Sequence, residues 1–147
     1  MKRSTALALF AAAIVFPAHA ADTPGQFNST DLSGTYDCTG QDAHDGAFKA
    51  AVTLARDPKH SKGNHDGYRY RMDVEGFSAY PGSAAADGDR LAITFANVDA
   101  AKKDYGTAIA RVKHANNGVT IEKYYYQPEY HGGNHGTETC VRRDAKR

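Results

Sequence analysis

Aromatic and imidazole side chains gather in a few short polar segments, and they are the residues of this chain best suited to bind a ligand. Imidazole exchanges a proton near neutral pH and can ligate a metal. A tyrosine combines an apolar ring with a polar tip. Glycines at positions 132, 133 and 136 would let one of these segments approach a partner closely. The candidate binding residues are Tyr130, His131, His135, His44 and Tyr105.

The sequence carries no motif of nucleophilic, phosphoryl-transfer or metalloprotease chemistry. It has no G-x-S-x-G, no P-loop, no G-x-G-x-x-G and no HExxH. A carboxylate pair for glycoside hydrolysis could be assembled from Asp37, Glu122 and Glu138. Charged residues on strand faces ordinarily face solvent, however. We therefore predict a protein that is not an enzyme, with no catalytic residue, no bound metal and no cofactor.

The elements that must position these side chains have a period of two. Residues 68–75 alternate strictly between apolar and charged side chains, which is typical of a half-buried strand. Eight short strands with frequent turn signals predict an all-β fold, a small antiparallel meander closed as a barrel. A two-sheet β-sandwich is the alternative. The predicted strands cover 34–39, 48–55, 68–75, 77–86, 91–96, 106–113, 119–126 and 136–142.

Two local features interrupt this pattern. Residues 99–104 favour a helical turn, with Asp99 as its N-cap. In the seventh strand, Val119 and Ile121 share one face and two tyrosines share the other, which predicts a β-bulge near Lys123. Between strands six and seven, Asn116-Asn117-Gly118 predicts a hairpin turn.

The only two cysteines, Cys38 and Cys140, predict one intramolecular disulfide. They lie on the first and last predicted strands. In an up-and-down barrel these two strands are antiparallel neighbours only if the number of strands is even. A feasible bridge therefore favours eight strands, within a single β domain over 31–143.

The two ends of the chain predict export. Lys2 and Arg3 precede an apolar run over 6–16 and the small-residue pattern Ala18-His19-Ala20, so residues 1–20 read as a signal peptide. A flexible leader (21–30) and a basic tail (144–147) flank the domain. The expected location is periplasmic or secreted, with no membrane span. A net charge of only +1 argues against a nucleic-acid partner.

Topology decides which candidate residues can meet. In an eight-strand meander, the loops after strands one, five and seven lie at one end, so segments 42–45, 99–105 and 128–135 converge there. The histidine-bearing segment 59–67 follows strand two and lies at the opposite end. A metal site shared by the histidines of 59–67 and 131–138 is therefore disfavoured.

Two short motifs resemble known families. Ser33-Gly34-Thr35-Tyr36 resembles the first-strand signal of calycins, the lipocalin and avidin group. Tyr36-x-Cys38, together with Cys140 on the final strand, resembles the periplasmic inhibitors of c-type lysozyme, which are small eight-stranded barrels with a first-to-last disulfide. As a whole, the chain is similar to small exported β-barrel proteins of Gram-negative bacteria.

These observations predict an exported, non-enzymatic binding module. It would be a monomer that recognises a small ligand or a partner protein through the loops at one barrel end. The alternative is a protein inhibitor of a secreted or host hydrolase such as lysozyme, which the second resemblance implies. An open, dry lumen would favour the small ligand, and a filled core with one protruding loop would favour the inhibitor.

Overall fold

The computed structural model describes residues 30–115 and 118–143. It shows eight antiparallel strands, each paired with the next, and β8 pairs with β1 to close the barrel. The predicted barrel is confirmed, and the sandwich alternative is wrong. The strands are β1 (Gly34–Asp42), β2 (Gly46–Lys62), β3 (His65–Val74), β4 (Ala79–Asp87), β5 (Arg90–Ala96), β6 (Tyr105–Ala115), β7 (Gly118–Gln127) and β8 (Asn134–Arg142).

Several sequence-based predictions lie outside the described residues. They are the signal peptide at 1–20, the leader at 21–30 apart from Thr30, the basic tail at 144–147 and Asn116-Asn117 of the predicted turn. Within the residues that the structure describes, no helix has the length and apolarity to cross a membrane. A short 3-10 turn, Ala100–Lys102, lies between β5 and β6, and the Asp99 side chain caps it by accepting from the Ala101 amide at 3.1 Å. The helical turn and its cap are therefore as predicted.

Closure of the barrel brings the two cysteines together. Cys38 and Cys140 are direct partners in the β1–β8 register. They form a disulfide across 102 positions of the chain, with 4.0 Å between their Cα atoms. The even strand number predicted from this pair is thus confirmed. The bridge joins the first strand of the domain to the last.

Glycines make room for large rings inside the barrel. A Cβ at Gly136 would lie 2.3 Å from the Tyr125 hydroxyl, and a Cβ at Gly40 would lie 2.2 Å from the Phe48 ring. Both contacts are far inside van der Waals distance. These rings therefore cross over the neighbouring strand at the two positions that have no side chain.

The prediction of a bulge near Lys123 is wrong. The pairing of β7 with β6 and with β8 runs through Lys123 without a shift. Lys123 points into the barrel, and Val119, Ile121 and Tyr125 share that face. The expectation that Glu138 faces solvent is also wrong, because Glu138 is buried inside the barrel. The interior holds an ion pair between Lys123 and Glu138, so polar residues occupy inward positions.

One end of the barrel is plugged by the segment before β1. Leu32 is almost fully buried, its amide donates to the Tyr68 hydroxyl at 3.1 Å, and its carbonyl accepts from the Tyr36 hydroxyl at 2.7 Å. Arg56 and Asp66 form an ion pair at the same end. The loops 43–45, 75–78, 97–104 and 128–133 lie at the other end, which we call the mouth.

Candidate functional site

Three of the five predicted binding residues come together at the mouth. The Tyr130 and His131 rings are 4.3 Å apart, and the His131 and His44 rings are 5.1 Å apart, measured between centroids. The Tyr130 hydroxyl donates to Asp45 Oδ2 at 3.0 Å. His44 Nε2 lies 3.3 Å from the Gly133 carbonyl. These contacts tie the β1–β2 loop to the β7–β8 loop.

The other two predicted residues are placed differently. The Tyr105 hydroxyl donates to Glu129 Oε1 at 2.5 Å, and Lys103 Nζ lies 3.5 Å from the other oxygen of that carboxylate. Tyr105 therefore borders the mouth. His135 is the second residue of β8, so strand alternation turns its side chain onto the outer wall, where its ring lies 6.3 Å from that of Tyr124. It does not join His44 and His131.

Two buried carboxylates form the floor of the mouth, and Asp42 is the first. Its Oδ1 accepts from the amides of His44 and Asp45 at 2.8 and 2.9 Å. Its Oδ2 accepts from the Tyr125 hydroxyl at 2.5 Å and from Asn134 Nδ2 at 2.8 Å. Asp42 is thus fully hydrogen-bonded although it is buried.

Asp104 is the second carboxylate, and it is also buried. Its Oδ2 accepts from the Tyr80 hydroxyl at 2.7 Å and from Asn97 Nδ2 at 3.0 Å, and its Oδ1 accepts from Gln127 Nε2. Asn134 connects the two acids, because its Nδ2 donates to Gln127 Oε1 at 2.7 Å as well as to Asp42. Asn134 Oδ1 is buried and accepts no hydrogen bond within the described residues.

Aromatic rings surround the entrance above this floor. A concavity of about 50 Å³ opens there. That volume holds an ammonium-sized group or the tip of a side chain, but it cannot hold a drug-sized molecule. Phe77 stands at its rim with 63% of its surface exposed. The aromatic and acidic residues that line it are Phe48, Phe77, Tyr80, Phe95, Tyr125, Tyr130, Asp42 and Asp45.

The mouth is negatively charged. Among the described residues, Asp42, Asp45 and Asp104 form no ion pair with a lysine, arginine or histidine. Lys103, in the 97–104 loop, pairs with Glu129. Two carboxylates, Asp42 and Asp45, therefore line one opening. Asp104 is connected to Asp42 through Gln127 and Asn134. Within the described residues, the side-chain partners of these acids are hydrogen-bond donors.

The hydrogen bonds keep this charge in place. Burial by itself raises the pKa of Asp42, but the bonds from Tyr125, Asn134 and two backbone amides outweigh it and lower the pKa below 3.8. Burial and the Asp42 carboxylate raise the pKa of Tyr125. Burial and the Asp45 carboxylate raise the pKa of Tyr130 to about 12. At neutral pH, both tyrosines therefore keep their hydroxyl protons and act as hydrogen-bond donors.

Replacing Asp42 by asparagine is expected to lower the free energy of unfolding by about 2 kcal/mol at pH 7, because the variant loses hydrogen bonds to a charged acceptor. Since the folded pKa lies below 3.8, this stabilisation is complete above that value and disappears as the pH falls through the folded pKa. Urea unfolding at pH 7 and at low pH measures the difference. A loss that persists at low pH, or an equal loss in the exposed control Asp87→Asn, contradicts this role.

The lumen behind the mouth is filled by side chains. Lys123 pairs with Glu138, and its Nζ also lies 2.9 Å from the Tyr70 hydroxyl and 3.7 Å from Met72 Sδ. Burial by itself lowers the pKa of Lys123, but Tyr70 and Glu138 raise it above its usual value. Phe95 and Tyr125 pack edge to face above this pair, with 6.2 Å between their centroids. A filled core, one of the two features expected of the inhibitor, is thus present.

Sequence reasoning missed Asp104, Gln127 and Asn134 as members of the site. Hydropathy places such residues on the solvent face of a strand. A usable signal was present, because the disulfide requires Cys140 to point inward. Counting back by twos from Cys140 along β8 reaches Glu138, Gly136 and Asn134.

Comparisons with known proteins add little to this geometry. No protein-family model matches the chain, and no curated protein matches it. A solved structure described as that of EF1p2_mFAP2b bound to DFHBI is similar at 14% sequence identity over 76% of this chain and 94% of that chain, with a TM-score of 0.47. A likeness of that degree carries no argument about the function of this chain.

Proposed function

We propose that this protein is an exported, non-enzymatic binding module whose mouth binds a positively charged group. The observation that supports this most directly is the acidic lining of the opening, Asp42 and Asp45, with Asp104 joined to Asp42 by hydrogen bonds through Gln127 and Asn134. None of these three acids forms an ion pair within the described residues. An ammonium or guanidinium group would supply the missing charge. Aromatic rings around it would attract the same group through their negative faces.

The volume of the opening limits which part of a ligand can enter it. About 50 Å³ admits the end of an alkylammonium or of a lysine or arginine side chain, while the rest of the ligand stays outside. Tyr130, His131 and His44 border the opening and would contact that outer part. Export is supported by the predicted signal peptide and by the disulfide, which is stable in an oxidising compartment.

The cation could belong to a small ligand or to a partner protein. The filled lumen and the narrow opening favour the protein, whose lysine or arginine would enter the mouth while its surface rests on the exposed loops. Phe77, 63% exposed, gives those loops an apolar contact point. An inhibitor of a secreted or host hydrolase such as lysozyme, acting by this contact, is the second candidate function.

NMR titration with butylammonium, with 1-butanol as the neutral analogue, tests the mouth itself. We expect saturable shifts at the amides of Asp42, Asp45 and Tyr130 with butylammonium, and at least tenfold weaker binding of butanol. Asp45→Asn keeps an acceptor for Tyr130 but removes a charge, so it should weaken butylammonium binding several-fold. Equal binding of butanol, or no saturable shift, would refute the proposal.

Asp87→Asn is the matched control, because it removes one exposed charge at the plugged end of the barrel. If it weakens binding as much as Asp45→Asn, net charge rather than the mouth is responsible. In a second arm, the chain is added to a c-type lysozyme assay. Inhibition that Asp45→Asn relieves and Asp87→Asn does not would assign the protein-inhibitor function. Absence of inhibition removes c-type lysozyme as the target of that function.

A further inference from the structure

We propose a second binding site, on the outer wall of the barrel, that takes a small aromatic carboxylate. A concavity of about 1170 Å³ lies against the barrel wall from the end of β2 to β8. Ala85, Ala92, Ile109 and Tyr124 are successive cross-strand partners and are all exposed. The buried residues that also border it, such as Ala86 and Ala110, are chain neighbours of this row. The concavity is therefore outside the barrel and distinct from the mouth.

The row formed by Ala85, Ala92, Ile109 and Tyr124 has two small side chains and two large ones. Ala85 and Ala92 expose little more than backbone and a methyl group. Ile109 and Tyr124 stand beside them with 68% and 46% of their surfaces exposed. Four neighbouring strands span about 14 Å at the usual strand spacing. A planar ring system can lie on the alanine floor against the Ile109 side chain and the edge of Tyr124.

A pair of arginines gives this site its charge preference. Arg90 on β5 and Arg111 on β6 are direct partners in register and lie two positions from Ala92 and Ile109. Like charges placed opposite each other destabilise a sheet. Neither guanidinium makes a hydrogen bond or ion pair within the described residues.

The acids beside the arginines are already engaged. Glu122, the partner of Arg111 in register, pairs with Lys113 at 2.5 Å. Asp87, the partner of Arg90, lies 3.4 Å from His65 Nε2. Two guanidinium groups that have no partner in the described part of the chain thus lie beside an apolar row. A carboxylate can accept from both of them, because guanidinium matches carboxylate geometry, while the aromatic body of the same molecule covers Ala92 and Ile109.

NMR titration with 2-naphthoate tests this site, with 2-naphthamide as the neutral analogue of the same shape. We expect saturable shifts at the amides of Ala85, Ala92 and Ile109 and none at Asp45 or Tyr130. Naphthamide should bind at least tenfold more weakly, and naphthoate binding should weaken as the salt concentration rises. Because the mouth titration uses a cation at different amides, failure of either proposal can be read separately.

The double variant R90Q/R111Q should weaken naphthoate binding at least tenfold, and the single variant R111Q provides the same test if the double variant folds poorly. Arg69→Gln is the control, since Arg69 is exposed on the outer wall of β3 and does not line the concavity.

Unchanged affinity in both arginine variants, equal binding of the amide, or an equal loss in Arg69→Gln would overturn the proposal. Saturable shifts with dodecanoate but not with naphthoate would also overturn the proposal, because the row would then bind an acyl chain and not an aromatic acid.

Discussion

Replacing Lys123 by methionine is expected to lower the free energy of unfolding by about 3–5 kcal/mol at pH 7. The Lys123 and Glu138 side chains are 2% and 0% exposed, so neither can be rehydrated when its partner is lost. The substitution leaves the Glu138 carboxylate in the barrel beside the disulfide without a counterion. Tyr70 also loses its contact with Lys123 Nζ. Urea unfolding of the oxidised protein measures the loss.

Lys113→Met is the matched control. It breaks an ion pair of the same residue types, Lys113 with Glu122, whose side chains are 60% and 46% exposed. Water and salt replace such a pair almost completely, so its loss should be a small fraction of that in Lys123→Met. If the two variants lose the same stability, the buried pair has no special role.

The pH dependence of Lys123→Met separates a lost charge partner from lost packing. A buried carboxylate without a counterion has its pKa raised above the unfolded value. Its contribution to stability is therefore greatest at low pH and is lost as the pH rises through the folded pKa. Lys123→Met should lose less stability at about pH 5 than at pH 8. A pH-independent loss would indicate a packing defect instead.

The double variant K123M/E138L completes a double-mutant cycle. It replaces both charges by apolar side chains, so no buried charge remains without a partner. Its loss should be smaller than the sum of the two single losses, because the residues are in contact. Strictly additive losses would contradict a direct interaction between Lys123 and Glu138.

The barrel was predictable from the sequence, and its polar interior was not. Apolar and charged residues alternate in segments such as 68–75 because one face of the strand is buried and the other faces water. The even strand number follows from the positions of Cys38 and Cys140. The hydropathy pattern gives the wrong direction for the Lys123 side chain, because it assigns a lysine to the solvent face of a strand. The sequence therefore predicts a bulge near Lys123, where the strand pairing is in fact regular.

The loops of the mouth were predictable as a group, because topology alone brings segments 42–45 and 128–135 to one end. The direction of individual side chains was not. His135 was assigned to the loop, yet β8 begins one residue earlier, at Asn134, and alternation turns the imidazole outward. Asp104 ends a loop, and two of its three side-chain partners, Tyr80 and Gln127, lie more than 20 positions away in the chain. No local pattern encodes those contacts.

Replacing both cysteines by alanine is expected to lower the free energy of unfolding by about 4–5 kcal/mol, since the bridge closes a loop of nearly the whole domain. Cys38 and Cys140 join strands 102 positions apart. Without the bridge, the unfolded chain gains conformations that the cross-link forbids. The loss should therefore come with a larger urea m-value, because a chain without the cross-link exposes more surface on unfolding.

Two measurements distinguish this mechanism from a packing defect. Reduction of the unmodified protein should lower stability by nearly the same amount as the double alanine variant, although reduction leaves both sulfur atoms in place. Thiol titration of the unfolded, unreduced protein should find no free thiol. An unchanged m-value, or a loss confined to the alanine variant, would show that the sulfur atoms stabilise the barrel by filling space. In that case, closure of β1 on β8 would depend on backbone pairing over seven residues of each strand and not on the cross-link.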